Sequence, residues 1–278
     1  ITPDEVRRRN DEQRGKLLVG EDRVVGVVVA DQARAYPLRL LRWHEVVNDT
    51  VAGTPLCVTY SPLSDSVVVF RREVGGQTVR FTHSGLLSNS SSLMKDRTAE
   101  PSLWSPLQAR AVAGPAAGTA LELLPAAVAT WSDWQRLHPT TLVLAPEPSY
   151  AKRYRRDPYH SYFGSDVLRF PVDPLPPARA GLGPKDRVVV VDVDGTPAVF
   201  ALARLAQSVG ADSGTWQSDI AGIPVTVDFD RSIGTAIVAA PSAQHLTVRT
   251  AFWFAWYASS PDRSPAALDP APVSAPRL

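Results

Sequence analysis

The segment RVVGVVVADQARAYPLRLLRWHEVVNDTVAGTPLCVTYSPLSDSVVVF, Arg23 to Phe70, carries the strongest structural signals in the chain. RVVGVVV is β-branched and apolar, the signature of a buried strand. ADQ is a turn, and ARAYP is a second short strand ending at Pro37. Leu38, Leu40, Leu41, Val46 and Val47 recur at helical spacing, and Pro37 suits helix entry. A helix is therefore expected over LRLLRWHEVVN, stopped by Asn48-Asp49, with Trp43-His44-Glu45 on its last turn. AGTP is a turn. PLCVTY and VVVF are apolar strands on either side of the Ser-rich loop SPLSDS.

Working outward, REVGGQTVRFTH reads as a hairpin turning at Gly75-Gly76. SGLLSNSSSLMKDR leads into a short strand near Leu93-Met94, and SLW supplies an aromatic anchor. ARAVAGPAAGTALELL reads as two short strands. PAAVATWSDWQRLHP reads as a helix from Pro125 to Leu137, and TTLVLA as a strand. Residues 1–22 are polar and suit an exposed helix. Residues 146–186 lack periodicity but carry Tyr150, Tyr154, Tyr159, Tyr162 and Phe163, as expected of a covering loop rather than a bare linker.

From Arg187 the pattern restarts. RVVVVDVDGTPAVFALARL (187–205) resembles residues 23–41, and AGIPVTVDFDRSIGTAIVAA (221–240) resembles 52–71. LTVRTAFWFAWYASSPD (246–262) resembles 121–139. An internal duplication is expected: a polar segment at 1–22, a first repeat at 23–145, the covering loop at 146–186, a shortened second repeat at 187–262 and a Pro/Ala-rich tail at 263–278. The expected fold is α+β and β-rich: two related halves of mostly antiparallel sheet, each with one or two helices. The second copy lacks the counterparts of Trp43-His44-Glu45 and SPLSDS, which assigns the site to the first.

The 278 residues carry 29 Lys and Arg against 28 Asp and Glu, so charge gives no case for a nucleic-acid partner. The basic run KRYRRD, Lys152 to Asp157, has the interleaved tyrosines of an anion groove, but a solvated or salt-bridged loop is the reading expected of it. The single cysteine, Cys57, lies in an apolar strand, where a structural thiol is expected. No apolar run reaches the roughly 18 residues of a membrane span. The chain opens on Ile1 rather than Met, so an upstream segment is expected to have been removed.

Of five histidines, His44 and His83 sit nearest the dense polar cluster of Trp43 to Ser66. His138 and His245 read as structural, and His160 could close over a site. One chemistry is metal binding: His44, His83 and the sole methionine, Met94, offer imidazole and thioether donors that suit copper. The other is acid–base or nucleophilic: Ser61, Ser64 or Ser66 with His44 or His83, the imidazole oriented by Glu45, Asp65 or Asp96. Asn48, Ser64, Asn89, Asp96, Arg97 and Tyr162 are the candidate substrate-binding residues. The leading expectation is an enzyme performing copper-dependent redox chemistry on a small molecule. The alternatives are a metal-free acid–base enzyme using His44 or His83 and a non-catalytic binding protein with a degenerate site. There is no Gly-x-Ser-x-Gly elbow, phosphate loop or dinucleotide fingerprint.

ARAYPLRLLRWHEVVNDTVAGTP, VTYSPLSDSVVVFRR, SGLLSNSSSLMKDR, SLW and FWFAW together resemble domain-of-unknown-function family 3179, found in bacteria and archaea. The resemblance extends from Arg23 to Asp262. It implies a bacterial protein, either cytoplasmic or exported, and little about the reaction. Relatives commonly carry Cys-Pro-Leu-Cys or Cys-Pro-Leu-Thr where this chain has Ser61-Pro62-Leu63-Ser64. In them, thiolate, histidine and methionine imply a soft-metal or redox site. Here serine replaces both thiols, and His83 stands where an apolar residue is expected.

Overall fold

The structure is a computed structural model that describes residues 1–12, 16–177 and 181–260. The tail expected from 263 lies outside the described residues. In chain order the elements are α1 (Pro3–Glu12), β1 (Arg23–Val29), β2 (Gln32–Pro37), α2 (Leu38–His44), β3 (Val46–Val51), β4 (Thr54–Ser61) and β5 (Ser66–Arg71). The small hairpin β6 (Glu73–Val74) and β7 (Gln77–Thr78) follows, then β8 (Phe81–Ser88), β9 (Ser91–Asp96), β10 (Leu103–Ser105) and β11 (Arg110–Ala113). β12 (Leu123–Leu124), β13 (Ala127–Thr130), α3 (Trp131–Leu137) and β14 (Leu142–Val143) lead into a long irregular stretch holding α4 (His160–Phe163). The chain closes with β15 (Arg187–Val193), β16 (Thr196–Ala201), α5 (Leu202–Val209), β17 (Ser213–Ile220), β18 (Ile223–Asp230), β19 (Thr235–Ala239), β20 (Leu246–Phe252) and α6 (Trp253–Ser259).

Two large sheets result. One runs β14-β2-β1-β13-β19-β18-β17 and the other β16-β15-β20-β5-β4-β3, with β12 on β5. Pairing is antiparallel except for β14 on β2, so the α+β, β-rich expectation holds. Each sheet takes strands from both ends of the chain: β19 joins β13 in the first, and β5 joins β20 in the second. A separate four-stranded sheet, β11-β10-β9-β8, is inserted between β5 and β13.

The large sheets pack face to face. Alternation along β4 sends Leu56, Val58 and Tyr60 into the layer between them, together with Val25, Val27, Tyr36 and Val128 of the first sheet. Val189, Val191 and Phe200 continue that layer against Val225, Val227 and Phe229. The intervening residues Cys57, Val68, Phe70, Val188 and Val190 face the other way, into a core closed by Phe81, Met94, Trp104, Phe254 and Trp256. Strands buried on both faces need apolar side chains at every position, hence the unbroken valine runs. Gly26 interrupts one run because the Trp134 ring lies where its Cβ would be, at 2.1 Å.

Two expected helices are shorter than their periodicity suggested. α2 stops at His44: Glu45 has φ +58° and turns the chain, and VVNDTV becomes β3. Val46 and Val47 then pack on opposite cores, as alternate strand residues do. The segment expected to be helical from Pro125 instead forms β13 from Ala127 to Thr130. Thr130 accepts the Asp133 N–H at 3.1 Å and starts α3 at Trp131, an N-cap signal in T-x-x-D. β8 also runs past His83, bulging at Gly85.

Candidate functional site

The SPLSDS turn is enclosed by the rest of the protein. All six residues from Ser61 to Ser66 are buried, although turns ordinarily lie at the surface. Asp65 adopts φ +43°, and its carboxylate, with no exposed side-chain surface, binds Arg187 Nε at 2.6 Å and Arg23 Nη2 at 3.2 Å. The Tyr60 hydroxyl donates to its Oδ1 at 2.7 Å. Burial alone would raise the Asp65 pKa. The charges of Arg23 and Arg187, with hydrogen bonds from Arg187 and Tyr60, outweigh it and bring the carboxyl to about 2. Phe252 N–H donates to Ser64 O at 2.7 Å, and Tyr162 Oη to Leu63 O at 2.6 Å. Asp65, Ser64 and Tyr162 therefore hold the turn in place, with their polar atoms engaged inside the protein.

A cleft opens beside this turn, on the outer face of the second large sheet. Its walls are Glu45, Val46, Thr59, Tyr60, Ser61 and Ser66 on one side and His83, Ser91, Ser92, Leu93 and Met94 on the other. Its volume of about 10 Å³ admits one water. His83 and Met94 are direct cross-strand partners, so they share a face. Ser61 Oγ accepts the Ser92 N–H at 3.0 Å and contacts Ser92 Oγ at 3.3 Å.

Glu45 reaches the cleft because its positive φ turns the chain from α2 into β3. Its side chain is 16% exposed, and Oε2 lies 3.1 Å from Nε2 of the half-exposed His83. The alignment is too poor for a hydrogen bond, and Oε2 is buried without one. Ser91 Oγ is also buried without a partner. Gly85 N–H donates to His83 Nδ1 at 3.1 Å. That bond needs a bare Nδ1, which places the proton of the neutral ring on Nε2, close to Glu45 Oε2 but not aimed at it.

His44 does not line the cleft. Its Nε2 sits 2.5 Å from Tyr154 Oη and its ring 4.7 Å from that of Tyr150; burial lowers its pKa, partly offset by Glu147. His44, His83 and Met94 thus fall in two places, two in the cleft and one under the covering loop. Among the described residues no group of three or more His, Cys, Asp or Glu is placed to hold a metal ion.

The remaining candidates have structural partners. Asn48 bonds both the N–H and C=O of Phe81 at 2.8 Å. Asp96 accepts from Trp104 Nε1 at 2.7 Å and from Ser102 N–H at 3.1 Å. Burial opposes its ionisation, but these bonds and those from Thr98 keep its pKa below the usual carboxylate range. Asn89 accepts the Asp173 N–H at 3.0 Å, tying down the covering loop. Arg97 is exposed. His138 packs on Trp134, and His245 N–H donates to Asp194. Cys57 is fully buried, and desolvation raises its pKa. Ser91, Ser92 and the arginine pair were not foreseen. The arginines had a signal: Arg23 and Arg187 open the two similar valine runs.

The family described as protein of unknown function, DUF3179, matches residues 4–245. The chain belongs to this family. No curated protein and no solved structure matches it. The DUF3179 match takes in both walls of the cleft, the buried turn and both arginines that bind Asp65. Among the described residues, no helix is long and apolar enough to cross a membrane.

Proposed function

We propose that the cleft is an enzyme's acid–base site, in which Glu45 and His83 act together on a small polar molecule. The supporting observation is the pair of buried polar atoms without hydrogen bonds, Glu45 Oε2 and Ser91 Oγ, beside the His83 ring. A buried acceptor without a donor costs about 1–3 kcal/mol, more for a charged group, and a ligand hydroxyl or amine would supply the donor. Glu45 would take that proton, and His83 Nε2–H would stabilise the charge or return a proton. Ser61 and Ser92 would shape the floor. The narrow volume admits only the reacting group, and the half-exposed His83 at the rim is what would move for a larger ligand.

A copper site on His44, His83 and Met94 does not fit this donor set. His44 is committed to Tyr154 and does not line the cleft, and Ser61 offers only a hydroxyl, a poor ligand for a soft metal. We also propose that the chain is an internal duplication. Hairpin, helix, hairpin and strand occur in the same order from β1 and from β15, and each large sheet combines strands from both stretches.

The test is a thermal-shift screen of small hydroxylated and amine-bearing compounds against the natural chain, Glu45→Gln and His83→Gln. Compounds that stabilise the natural chain and neither variant support the site. Identical hits for all three proteins sink it.

A further inference from the structure

A second concavity lies under the covering loop, away from the cleft. Its volume is about 560 Å³, within the range of small-molecule sites. Lys16, Arg39, Arg42, Arg155 and Arg156 line it, against one lining carboxylate, Asp157. Five cations in one depression are a large share of the field of a chain whose net charge is only +1. The basic run around Tyr154 supplies two of them, and α2 supplies two more.

The site is built rather than loose. Arg39 and Arg42 are one helical turn apart on α2. Arg39 Nε donates to Tyr154 O at 2.9 Å, and Arg42 Nη1 pairs with Asp157 at 2.6 Å. The Arg42 guanidinium lies over the Phe163 ring at 5.4 Å, and its Nε is buried without an acceptor. Asp22 reaches Arg39 only at 4.0 Å. The Arg156 side chain is exposed and has no hydrogen bond or ion pair among the described residues.

We propose that this depression binds a phosphate-bearing ligand. Guanidinium groups held in place by backbone and ring contacts lose little freedom on binding, and their forks match phosphate oxygens. A group with three acceptor oxygens and two charges can engage several of these cations at once, whereas a monocarboxylate cannot. The phosphate belongs either to a free metabolite or to a lipid headgroup, and both present the same chemistry to the depression.

Inorganic pyrophosphate, titrated calorimetrically into the full chain at low salt, probes the free form. Vesicles of phosphatidylcholine with and without phosphatidic acid probe the lipid form. The natural chain is expected to bind at least one probe, with affinity falling as salt rises. Arg156→Glu combined with Lys16→Glu is expected to weaken that binding at least tenfold at an unchanged melting temperature. Arg136→Glu, on α3, is expected to leave it unchanged. Binding to phosphatidic-acid vesicles alone assigns the lipid form, and binding to pyrophosphate assigns the free form. Binding to neither probe overturns the proposal. So does an unchanged affinity in the double variant, or citrate binding as tightly as pyrophosphate.

Discussion

Arg187 donates from Nε to Asp65 Oδ2 at 2.6 Å, joining the first residue of β15 to a turn 122 positions earlier. Arg23, the first residue of β1, reaches the same carboxylate. One aspartate thus pairs with the opening residue of a strand in each large sheet. Asp65→Asn keeps the shape and removes the charge, leaving two mostly buried guanidinium groups uncompensated. Removing one partner of a buried ionic cluster costs about 3–5 kcal/mol. Urea denaturation of the variant is expected to show a loss of that size, and a loss below about 1 kcal/mol would mean that water replaces the carboxylate.

The same carboxylate sets an acid limit. Its folded-state pKa, about 2, lies below the ordinary value of 3.8. A depressed carboxyl stabilises the fold above its unfolded pKa, and that stability is lost as pH falls through the folded one. The contribution, about 2 kcal/mol, is complete above roughly pH 4–5 and is spent near pH 2. Denaturant midpoints between pH 6 and 2 should show this fall in the natural chain, and a shallower one in Asp65→Asn.

Gly234 lies in the β18–β19 turn, with φ +79°. A Cβ there would lie 2.5 Å from Arg187 Nε. Gly195 has φ +87° and nothing within 4 Å. Gly195→Ala pays only for backbone strain, about 1 kcal/mol. Gly234→Ala adds a collision with the arginine that holds Asp65, so its loss should exceed that of Gly195→Ala by at least about 1 kcal/mol. Equal melting temperatures for the two variants would show that Arg187 yields freely.

Much of the fold was legible in the valine runs, because a strand buried on both faces leaves no polar position to obscure it. The helix limits at His44 and Trp131 were less so. Leucine spacing carries on into Val46 and Val47, and only the left-handed Glu45 ends α2. The site was half legible. Glu45, Ser61, His83 and Met94 were all foreseen, and all line the cleft. Asn48, Asp65 and Asp96 were foreseen as functional, but their polar atoms bind the protein itself. A sequence shows that a polar residue is buried-prone; whether its partner is a ligand, a backbone amide or an arginine far along the chain depends on tertiary contacts.

His44 and Tyr154 connect α2 to the covering loop, and the imidazole's lowered pKa, set by burial, gives that contact a pH dependence. The folded-state pKa lies below the ordinary value of 6.5, so the stabilisation is present above that pH and declines as pH falls. Proton NMR should find the His44 ring titrating below 6.5. Tyr154→Phe should remove the 2.5 Å contact and raise amide exchange across residues 147–155. Unchanged exchange would mean that Arg39 and Arg42 alone hold the loop.

Glu45 stands at a position where backbone and side chain ask for different residues. At φ +58°, glycine is the unstrained choice, and the corresponding end of α5 has Gly210 at φ +77°. Glutamate accepts strain of about 1 kcal/mol and also buries a carboxylate oxygen without a hydrogen bond. Glu45→Gly relieves both, so it should raise stability by about 1 kcal/mol while abolishing ligand response in the cleft. Glu45→Gln keeps the strain and removes the charge, so it should lose the response without the gain. Denaturation of the two variants, run beside the ligand screen, separates the effects. A Glu45→Gly chain less stable than the natural one would mean that the carboxylate supports the fold through His83, and the acid–base reading would fall with it.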